Sequence, residues 1–199
     1  MLELTRMKEI ARQNSVGNTN FNYTSNLFSD EKPQGGEPVL ELYEYWAYLN
    51  QSKWVYDAAS RAWWRHVDNS NPASPGILHP EIDRLNGRQL MFENIIVLFA
   101  DHKVVTPTIV DMNLSQGELG KAVLFRDGLM FNIRWSTRAT DYEKKTGLRR
   151  PIQFQTLDGL PIALRPGHTW VMIVTPQSYL EELSANIWKA RFFAPAGAK

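Results

Sequence analysis

Two Asp-Gly pairs, each set between β-type segments, constrain the fold of this chain more than any other feature. Asp127-Gly128 and Asp158-Gly159 supply the positive backbone φ angles that two-residue hairpin turns need. The flanking segments are residues 123–126 and 129–135 for the first pair, and residues 152–156 and 161–164 for the second. Each pair therefore predicts a β-hairpin, which joins antiparallel strands.

Several further segments have the spacing of strands. Side chains alternate in character along residues 39–46, and a hairpin-length loop at residues 57–61 separates residues 53–56 from residues 62–67. Residues 94–100 form a continuous apolar run, which fits a strand that is buried on both faces. These segments add at least four strands to the two hairpins at the Asp-Gly pairs.

Two more segments complete the predicted sheet. Residues 103–112 are rich in β-branched side chains but contain Pro107, which predicts an edge or bulged strand. Residues 169–174 follow a Pro-Gly turn and are predicted to form the last strand. Because strands follow one another without intervening helices, the sequence favours an antiparallel meander over a parallel sheet.

Both ends of the chain are predicted to be helical. Residues 2–14 place apolar side chains at three-to-four spacing, and a short strand is predicted at residues 20–23 in the polar loop that follows. Beyond Pro176 the apolar spacing is again helical, with acidic residues early and basic residues late, as a helix dipole prefers. The apolar positions are Leu180, Leu183, Ile187, Trp188 and Phe192.

The sequence therefore predicts a mainly β fold of the α+β class, with a helix at each terminus. The sheet is an antiparallel meander or a barrel-like or sandwich arrangement, and seven Trp, seven Tyr and nine Phe favour such a β-rich core. The predicted divisions are an N-terminal helix and linker at residues 1–37, the β domain at residues 38–176, and a C-terminal helix and tail at residues 177–199.

Composition excludes several classes of protein. The 22 basic and 21 acidic residues give a net charge of +1, which argues against a nucleic-acid partner. The absence of cysteine excludes disulfides, thiolate zinc sites and iron–sulfur clusters, and the four histidines are not paired at ligand spacing. We therefore expect no metal and no cofactor.

The sequence also bears on membranes and export. It has no apolar run of about 18 residues, so no membrane-spanning helix is expected. Its first residues lack the basic-then-apolar order of a signal peptide. We expect either a protein that stays inside the cell or a piece of a longer precursor.

No residue is assigned a catalytic role. The sequence lacks the Gly-x-Ser-x-Gly elbow of α/β hydrolases, and residues 117–122 lack the hydroxyl residue of a phosphate loop. Glycoside hydrolysis needs two carboxyl groups a few ångström apart. Asp111, Asp141 and Glu143 in or near loops leave that chemistry open as an alternative.

The predicted hairpin at residues 53–67 holds the densest group of candidate binding residues. It bears four large rings, from Trp54, Tyr56, Trp63 and Trp64. Consecutive residues of a strand point to opposite faces, so Trp63 and Trp64 must differ in orientation. At least one ring is therefore predicted to be exposed or half-exposed, where it could stack on a sugar, a proline-rich peptide or a protein. Core packing is the alternative reading of the same rings.

A series of segments resembles the C-terminal domain of the YerB-type bacterial lipoproteins, an uncharacterised family. The segments are Lys53-Trp54-Val55-Tyr56-Asp57, Asp83-Arg84-Leu85-Asn86-Gly87-Arg88-Gln89-Leu90, Asn94-Ile95-Ile96-Val97, Gly120-Lys121-Ala122, Asp127-Gly128, Trp135, Gly159 and Gly167-His168-Thr169-Trp170. The resemblance extends over about residues 38–176. Glu81 stands where the family pattern has His, and the segment beyond Pro176 is longer than the usual end of the family.

The resemblance implies an extracytoplasmic protein of the bacterial cell envelope, with a lipid anchor at an N-terminus that this chain lacks. It also implies a larger upstream domain, of which residues 1–37 resemble the end. The family supplies no catalytic residues. Asp83 and Arg88 in the family-like turn join the aromatic hairpin as candidate ligand-binding residues, although an Asp beside a Gly also fixes turn geometry.

Three functions follow as hypotheses. The first is a non-catalytic envelope module that binds a wall polymer or a protein partner. The second is an envelope hydrolase that acts on glycans through loop carboxylates such as Asp111 or Asp141. The third is a structural domain that packs on its own N-terminal domain. An exposed Trp beside a groove would favour the first, facing carboxylates the second, and an apolar patch near the first helix the third.

Overall fold

The computed structural model describes residues 3–14, 26–48, 50–68, 73, 76–115, 117–137 and 152–198. This part of the chain contains one helix, α1 at Leu4–Gln13, and fifteen strands. The strands are β1 Glu37–Pro38, β2 Glu41–Ala47, β3 Asn50–Asp57, β4 Ala62–Asp68, β5 Leu78–Pro80, β6 Met91–Phe92, β7 Asn94–Phe99, β8 His102–Thr106, β9 Ile109–Met112, β10 Leu119–Arg126, β11 Leu129–Ser136, β12 Gln153–Gln155, β13 Thr169–Val174, β14 Tyr179–Ser184 and β15 Ile187–Arg191. The predicted mainly β fold is confirmed.

The strands form two large sheets and one small one. The first has the order β1-β11-β10-β7-β13, with β12 also on β11, and the second has the order β14-β15-β2-β3-β4-β5, with β6 also on β4. Strands β8 and β9 form a two-stranded sheet. Both large sheets are mixed, because β13 runs parallel to β7 and β15 runs parallel to β2. The prediction of a purely antiparallel meander is therefore wrong.

The hairpins predicted from the turns are present. Strands β10 and β11 pair up to Arg126 and Leu129 around Asp127, with φ 55°, and Gly128, with φ 70°. A Cβ at Gly128 would lie 2.6 Å from the Tyr56 ring, so this turn needs glycine for space as well as for φ. Strands β3 and β4 likewise form the aromatic hairpin.

The second Asp-Gly pair makes a smaller hairpin. The Thr156 N–H donates to the Leu160 carbonyl at 2.7 Å, and Gln155 bridges Pro161 in antiparallel register. Only the segment before this turn is long enough to be a strand, β12. Pro161, which follows the turn, has no N–H to donate.

The C-terminal helix predicted beyond Pro176 is wrong, because this segment is the hairpin β14–β15. Asn186 turns the chain with φ 65°, and Trp188, Ala190 and Phe192 then alternate into the core with a period of two. The three-to-four spacing of the larger set of apolar residues was coincidental. Pairing of β15 with β2 packs Trp188, Ala190 and Phe192 into the core. The free energy gained by this packing outweighs the local preference for a helix.

Several other predictions are confirmed. Helix α1 lies within the predicted N-terminal helix, and every residue of β7 is buried, as its apolar run predicted. Residues 103–112, predicted as one edge or bulged strand, instead form the two strands β8 and β9 with Pro107 in the turn between them. The irregular pairing expected here is present as a register shift between Val104 and Thr106. The strand predicted at residues 20–23 lies outside the described residues.

Two apolar clusters stabilise the fold. The first contains side chains of both large sheets, such as Leu42 and Trp54 from one and Ile95 and Phe125 from the other, so the two sheets pack face to face. The second lies on the other face of the six-stranded sheet and includes Ile162 and Leu164, from the segment between β12 and β13. The six-stranded sheet is therefore buried on both faces, while the seven-stranded sheet contributes only its inner face to these clusters.

A buried charged cluster fixes the Asp127 turn. Arg126 and Asp127 are 0% and 3% exposed, and the Arg126 Nε donates to Asp127 Oδ2 at 2.9 Å. Arg61 and Arg165 reach Asp127 Oδ1 at 2.6 Å and 3.2 Å. Burial alone would raise the pKa of Asp127, but hydrogen bonds from Arg126 and Arg61 and the charges of these residues outweigh it, so the pKa is lowered. The Arg61–Asp127 pair thus joins the loop of the β3–β4 hairpin to the turn of the β10–β11 hairpin.

Candidate ligand-binding face

The β3–β4 hairpin distributes its four predicted rings between two faces. Trp54, Tyr56 and Trp63 point inward, and Trp54 and Trp63 are 0% exposed. Trp63 packs against Tyr56 and Phe125 with ring centroids 5.2 Å and 6.0 Å apart. Trp54 and Trp63 therefore serve the core and offer no stacking surface. Trp64 is half-buried and lies on the outer face of the sheet, as alternation requires.

A buried carboxyl group lies beside Trp54 on the inner face. Glu44 is 3% exposed, and its two carboxyl oxygens accept hydrogen bonds from the Trp54 Nε1, at 2.5 Å, and from the Ser52 hydroxyl. Burial raises the pKa of Glu44 above its ordinary value, against the opposing effect of these hydrogen bonds and of the nearby Arg65 charge. Sequence analysis missed Glu44, although its place between the inward Leu42 and Trp46 was a usable signal.

Arg65 completes the inner polar group. Its guanidinium carbon lies 4.4 Å from the Trp170 ring centroid and 5.3 Å from that of Trp54, and one nitrogen pairs with Glu81. Cation–π contacts of this kind are strongest when the cation is desolvated, and the Arg65 side chain is only 13% exposed. Glu81, which departs from the family pattern, thus has a structural role.

The opposite side of the seven-stranded sheet is an open surface, which we call the outer face. It is formed by the alternate residues of strands β14, β15, β2, β3 and β4, which the pairing registers place in rows across the sheet. The residues that define it are Glu181, Ile187, Lys189, Arg191, Glu41, Tyr43, Tyr45, Lys53, Val55, Trp64 and His66. All are half-buried, and none belongs to either apolar cluster.

Cations lie over the tyrosine rings of the outer face. The Lys53 Nζ is 5.4 Å from the Tyr43 ring centroid. The Lys189 Nζ and the Arg191 guanidinium carbon are 5.4 Å and 5.2 Å from the Tyr45 ring centroid. An aromatic ring attracts a cation without cancelling its charge. The rings therefore position these three cations, and whether each is available to an anion depends on its ion pairs.

Ion pairing on this face is uneven. Lys53 pairs with Glu41 at 3.4 Å. Lys189 and Arg191 have no carboxylate within 4.0 Å among the described residues. Glu181, which stands opposite Lys189 across the hairpin, forms no such pair either. Strand β15 thus presents two cations that no described carboxylate pairs with, beside Tyr45 of β2.

The other two predicted site residues lie in the turn after β5. The Asp83 carboxylate accepts hydrogen bonds from the Leu85 N–H at 2.8 Å and from the Asn86 side chain at 2.6 Å. Asp83 therefore shapes the turn, in agreement with its alternative reading. Arg88 is exposed, and only its backbone is engaged in this turn. The structure does not bring Asp83 or Arg88 onto the outer face.

The loop carboxylates are placed differently. Asp111 lies on β9 and lines a groove of about 510 Å³ together with Asp101, beside the base of the β8–β9 hairpin. Asp101 also lines a neighbouring groove of about 260 Å³ with Glu118 and Lys121. Asp141 and Glu143 lie outside the described residues. Within the described ranges, no three His, Asp or Glu side chains are grouped to hold a metal ion.

The fold and the outer face together define a class, a β domain of two packed sheets. One sheet is buried on both faces, and the other has an outer face on which cations lie over tyrosine rings. The chain belongs to the family described as the C-terminal domain of a protein of unknown function (DUF3048), whose sequence profile matches residues 43–171. The resemblance drawn from the sequence is thereby confirmed. No curated protein matches this chain significantly.

A solved structure has the same fold. The crystal structure of the YerB protein from Bacillus subtilis superposes with a TM-score of 0.56 at 21% identity, covering 85% of this chain and 50% of the YerB chain. This chain therefore spans about half the length of YerB. Strands β14 and β15, with Lys189 and Arg191, lie beyond the residues that match the family profile. No helix among the described residues is long and apolar enough to cross a membrane.

Proposed function

We propose that this domain is a non-catalytic module of the bacterial cell envelope that binds a wall polymer through the outer face. The extracytoplasmic location rests on the resemblance to the YerB-type lipoproteins. A protein partner on the same face is the alternative occupant, and an affinity test with purified wall material separates the two.

One observation supports this proposal most: a five-stranded expanse of sheet leaves aromatic and cationic side chains outside both cores. Tyr43, Tyr45 and Trp64 give a flat surface, and Lys53, Lys189 and Arg191 give it charge. A flat, extended face suits an extended polymer, whose repeats can contact several strands at once. Aromatic side chains with a polar or charged rim are frequent at binding surfaces.

The test is retention of the purified domain on purified cell-wall material. Trp64→Ala and Tyr45→Ala remove rings from the outer face, and each is expected to reduce the retained fraction severalfold. Arg88→Ala is the matched control, because Arg88 is exposed but lies off this face. Thermal unfolding of each variant checks that the fold persists.

The outcomes are distinct. If wall material does not retain the unmodified domain, wall binding is wrong. If it is retained and only Arg88→Ala reduces retention, the ligand lies at the turn that contains Asp83 and not on the outer face.

A second candidate function has one supporting observation: Asp101, Asp111 and Glu118 line adjoining grooves. Paired carboxyl groups hydrolyse glycosidic bonds. Release of reducing sugar from wall glycan by the domain, abolished by Asp111→Asn or Glu118→Gln, would establish a hydrolase. An inactive domain under the same conditions excludes it.

A structural function is the third candidate, and helix α1 is its support. Leu4, Met7 and Ile10 are 74%, 49% and 50% exposed, so the apolar stripe of this helix has no cover among the described residues. The partner would be an N-terminal domain such as the family implies. Co-purification of separately expressed N-terminal domain with this chain, lost in Met7→Ser and Ile10→Ser variants, would demonstrate it.

A further inference from the structure

The charges of the outer face bear on what kind of polymer it would bind. We propose that the ligand is a polyanion of the polyol-phosphate class, held chiefly by Lys189 and Arg191 at Tyr45. This inference rests on the proposed function and specifies its ligand.

The first argument is the state of the cations. Lys189 and Arg191 are held over the Tyr45 ring and have no carboxylate within 4.0 Å among the described residues. A ring that holds a long side chain in place reduces the conformational entropy that the side chain would lose on binding a ligand. The full positive charge of the side chain remains. The side chains are thus pre-arranged for an anion that the described chain does not supply.

The second argument concerns the rings. A ligand that binds by stacking, such as a sugar or a nucleobase, needs an open ring face. The Tyr43 ring has Lys53 over it, and the Tyr45 ring has Lys189 and Arg191. A ligand that approaches these strands therefore meets ammonium and guanidinium groups, which favours anionic groups over stacked ones.

The third argument is spacing. Lys189 and Arg191 are two residues apart on one strand, so their side chains leave the sheet about 6.6 Å apart on the same side. Both charged groups also converge on the Tyr45 ring, so together they can engage one phosphate or two neighbouring phosphates of an extended polymer. Arg191 can engage phosphate oxygens with two N–H groups, and Lys189 acts as a point charge.

The C-terminal hairpin is the source of this site. Strand β15 supplies both cations, joins the sheet by parallel pairing with β2, and lies beyond the residues that match the family profile. Within the sheet it brings Lys189 level with Tyr43 and Arg191 level with Tyr45. The hairpin thus adds two cations beside β2 to a face whose remaining strands lie largely within the family match.

The test measures equilibrium binding of the whole chain to poly(glycerol phosphate), with polygalacturonate, single-stranded DNA and neutral dextran as comparisons. Poly(glycerol phosphate) is expected to bind most tightly and to weaken with salt. The Lys189→Gln, Arg191→Gln double variant is expected to bind about tenfold more weakly and to lower the salt slope by about 2. Lys189→Arg keeps the charge and should keep the affinity.

Glu181→Gln supplies a control of opposite sign. Glu181 stands opposite Lys189, so removing its negative charge is expected to tighten binding of the phosphate polymer. Glu182→Gln on the same strand is its matched partner, because Glu182 alternates to the other side and should have a smaller effect.

Failures of the two proposals are distinguishable. If the domain is retained on wall material but poly(glycerol phosphate) binds no better than dextran, the polyanion inference is overturned and the proposed function stands. Equal or tighter binding of polygalacturonate or DNA overturns the assignment to polyol phosphate. If wall material does not retain the domain at all, both proposals fall.

Discussion

The two faces of the seven-stranded sheet are built from the same strands and differ in nearly every physical property. On the inner face Trp54 and Trp63 are fully buried, and the charges of Glu44 and Arg65 are met by partners inside the domain. On the outer face Lys189 and Arg191 lie over a ring, and no carboxylate of the described ranges is within 4.0 Å of either. The difference teaches that alternation along a strand can place core packing on one face and unpaired charge on the other, one residue apart.

The largest effect that distinguishes the faces is expected at neighbouring tryptophans. Trp63→Ala should reduce the free energy of unfolding by about 3–5 kcal/mol, because it leaves a large cavity between Tyr56 and Phe125. Trp64→Ala, one residue further on and half-buried, should cost about 1 kcal/mol. Urea unfolding of both variants measures the contrast, and equal losses would contradict the division of faces.

Removal of the inner cation is expected to be next in size. Arg65→Met keeps much of the side-chain volume but loses the contacts with Trp54 and Trp170 and the pair with Glu81, and it should destabilise by about 2 kcal/mol. The matched control is Arg88→Met, at an exposed site where little change is expected. Urea unfolding midpoints report both. If Arg65→Met leaves the stability unchanged, the packing of the rings does not depend on the cation.

The inner carboxyl group should reveal itself through pH. Because the pKa of Glu44 is raised in the folded domain, the folded state binds its proton more tightly than the unfolded state. Its contribution to stability is complete below the ordinary value of 4.5 and is lost as pH rises through the raised pKa. The unmodified domain should therefore lose more stability than Glu44→Gln as pH rises above 4.5.

Unfolding measured in urea at a series of pH values gives this difference directly. The difference in free energy of unfolding between the two proteins should change in one direction only across the range. It should favour Glu44→Gln increasingly as the pH rises. A constant difference would mean that Glu44 titrates alike in the folded and unfolded chains.

The smallest stability effect is expected on the outer face. Among the described residues, Lys189→Gln and Arg191→Gln remove no ion pair and no contact with either apolar cluster. Together they should therefore change the free energy of unfolding by only about 0.5 kcal/mol. The same pair is predicted to affect polymer binding strongly. A loss of several kcal/mol in thermal or urea unfolding would show that these cations belong to the structure and not to a ligand site.

The sequence predicted local features better than global ones. Asp127-Gly128 and the apolar run of β7 each contain their own structural signal, a turn in one case and full burial in the other, and both were confirmed. The alternation around Trp63 and Trp64 correctly required that the two rings differ in orientation.

The errors arose where distant pairing decides the outcome. The segment at Tyr179–Arg191 fits a helix by spacing, and only β2, more than a hundred residues away, makes it a strand. For the same reason the outer face could not be anticipated: Tyr45 and Arg191 become neighbours only through parallel pairing. Asp83 and Arg88 were chosen from a family-like turn, and the turn has its own structural requirement for Asp83.

The most direct test of the division between the faces is a lysine footprint of the domain with and without bound wall material. Lys53 and Lys189 report on the outer face, and the exposed Lys103 and Lys121 report on the hairpin and groove of the β8–β9 region. We predict that bound polymer slows acetylation of Lys53 and Lys189 and leaves Lys103 and Lys121 unchanged. Protection of Lys103 and Lys121 with Lys53 and Lys189 still reactive would contradict the account.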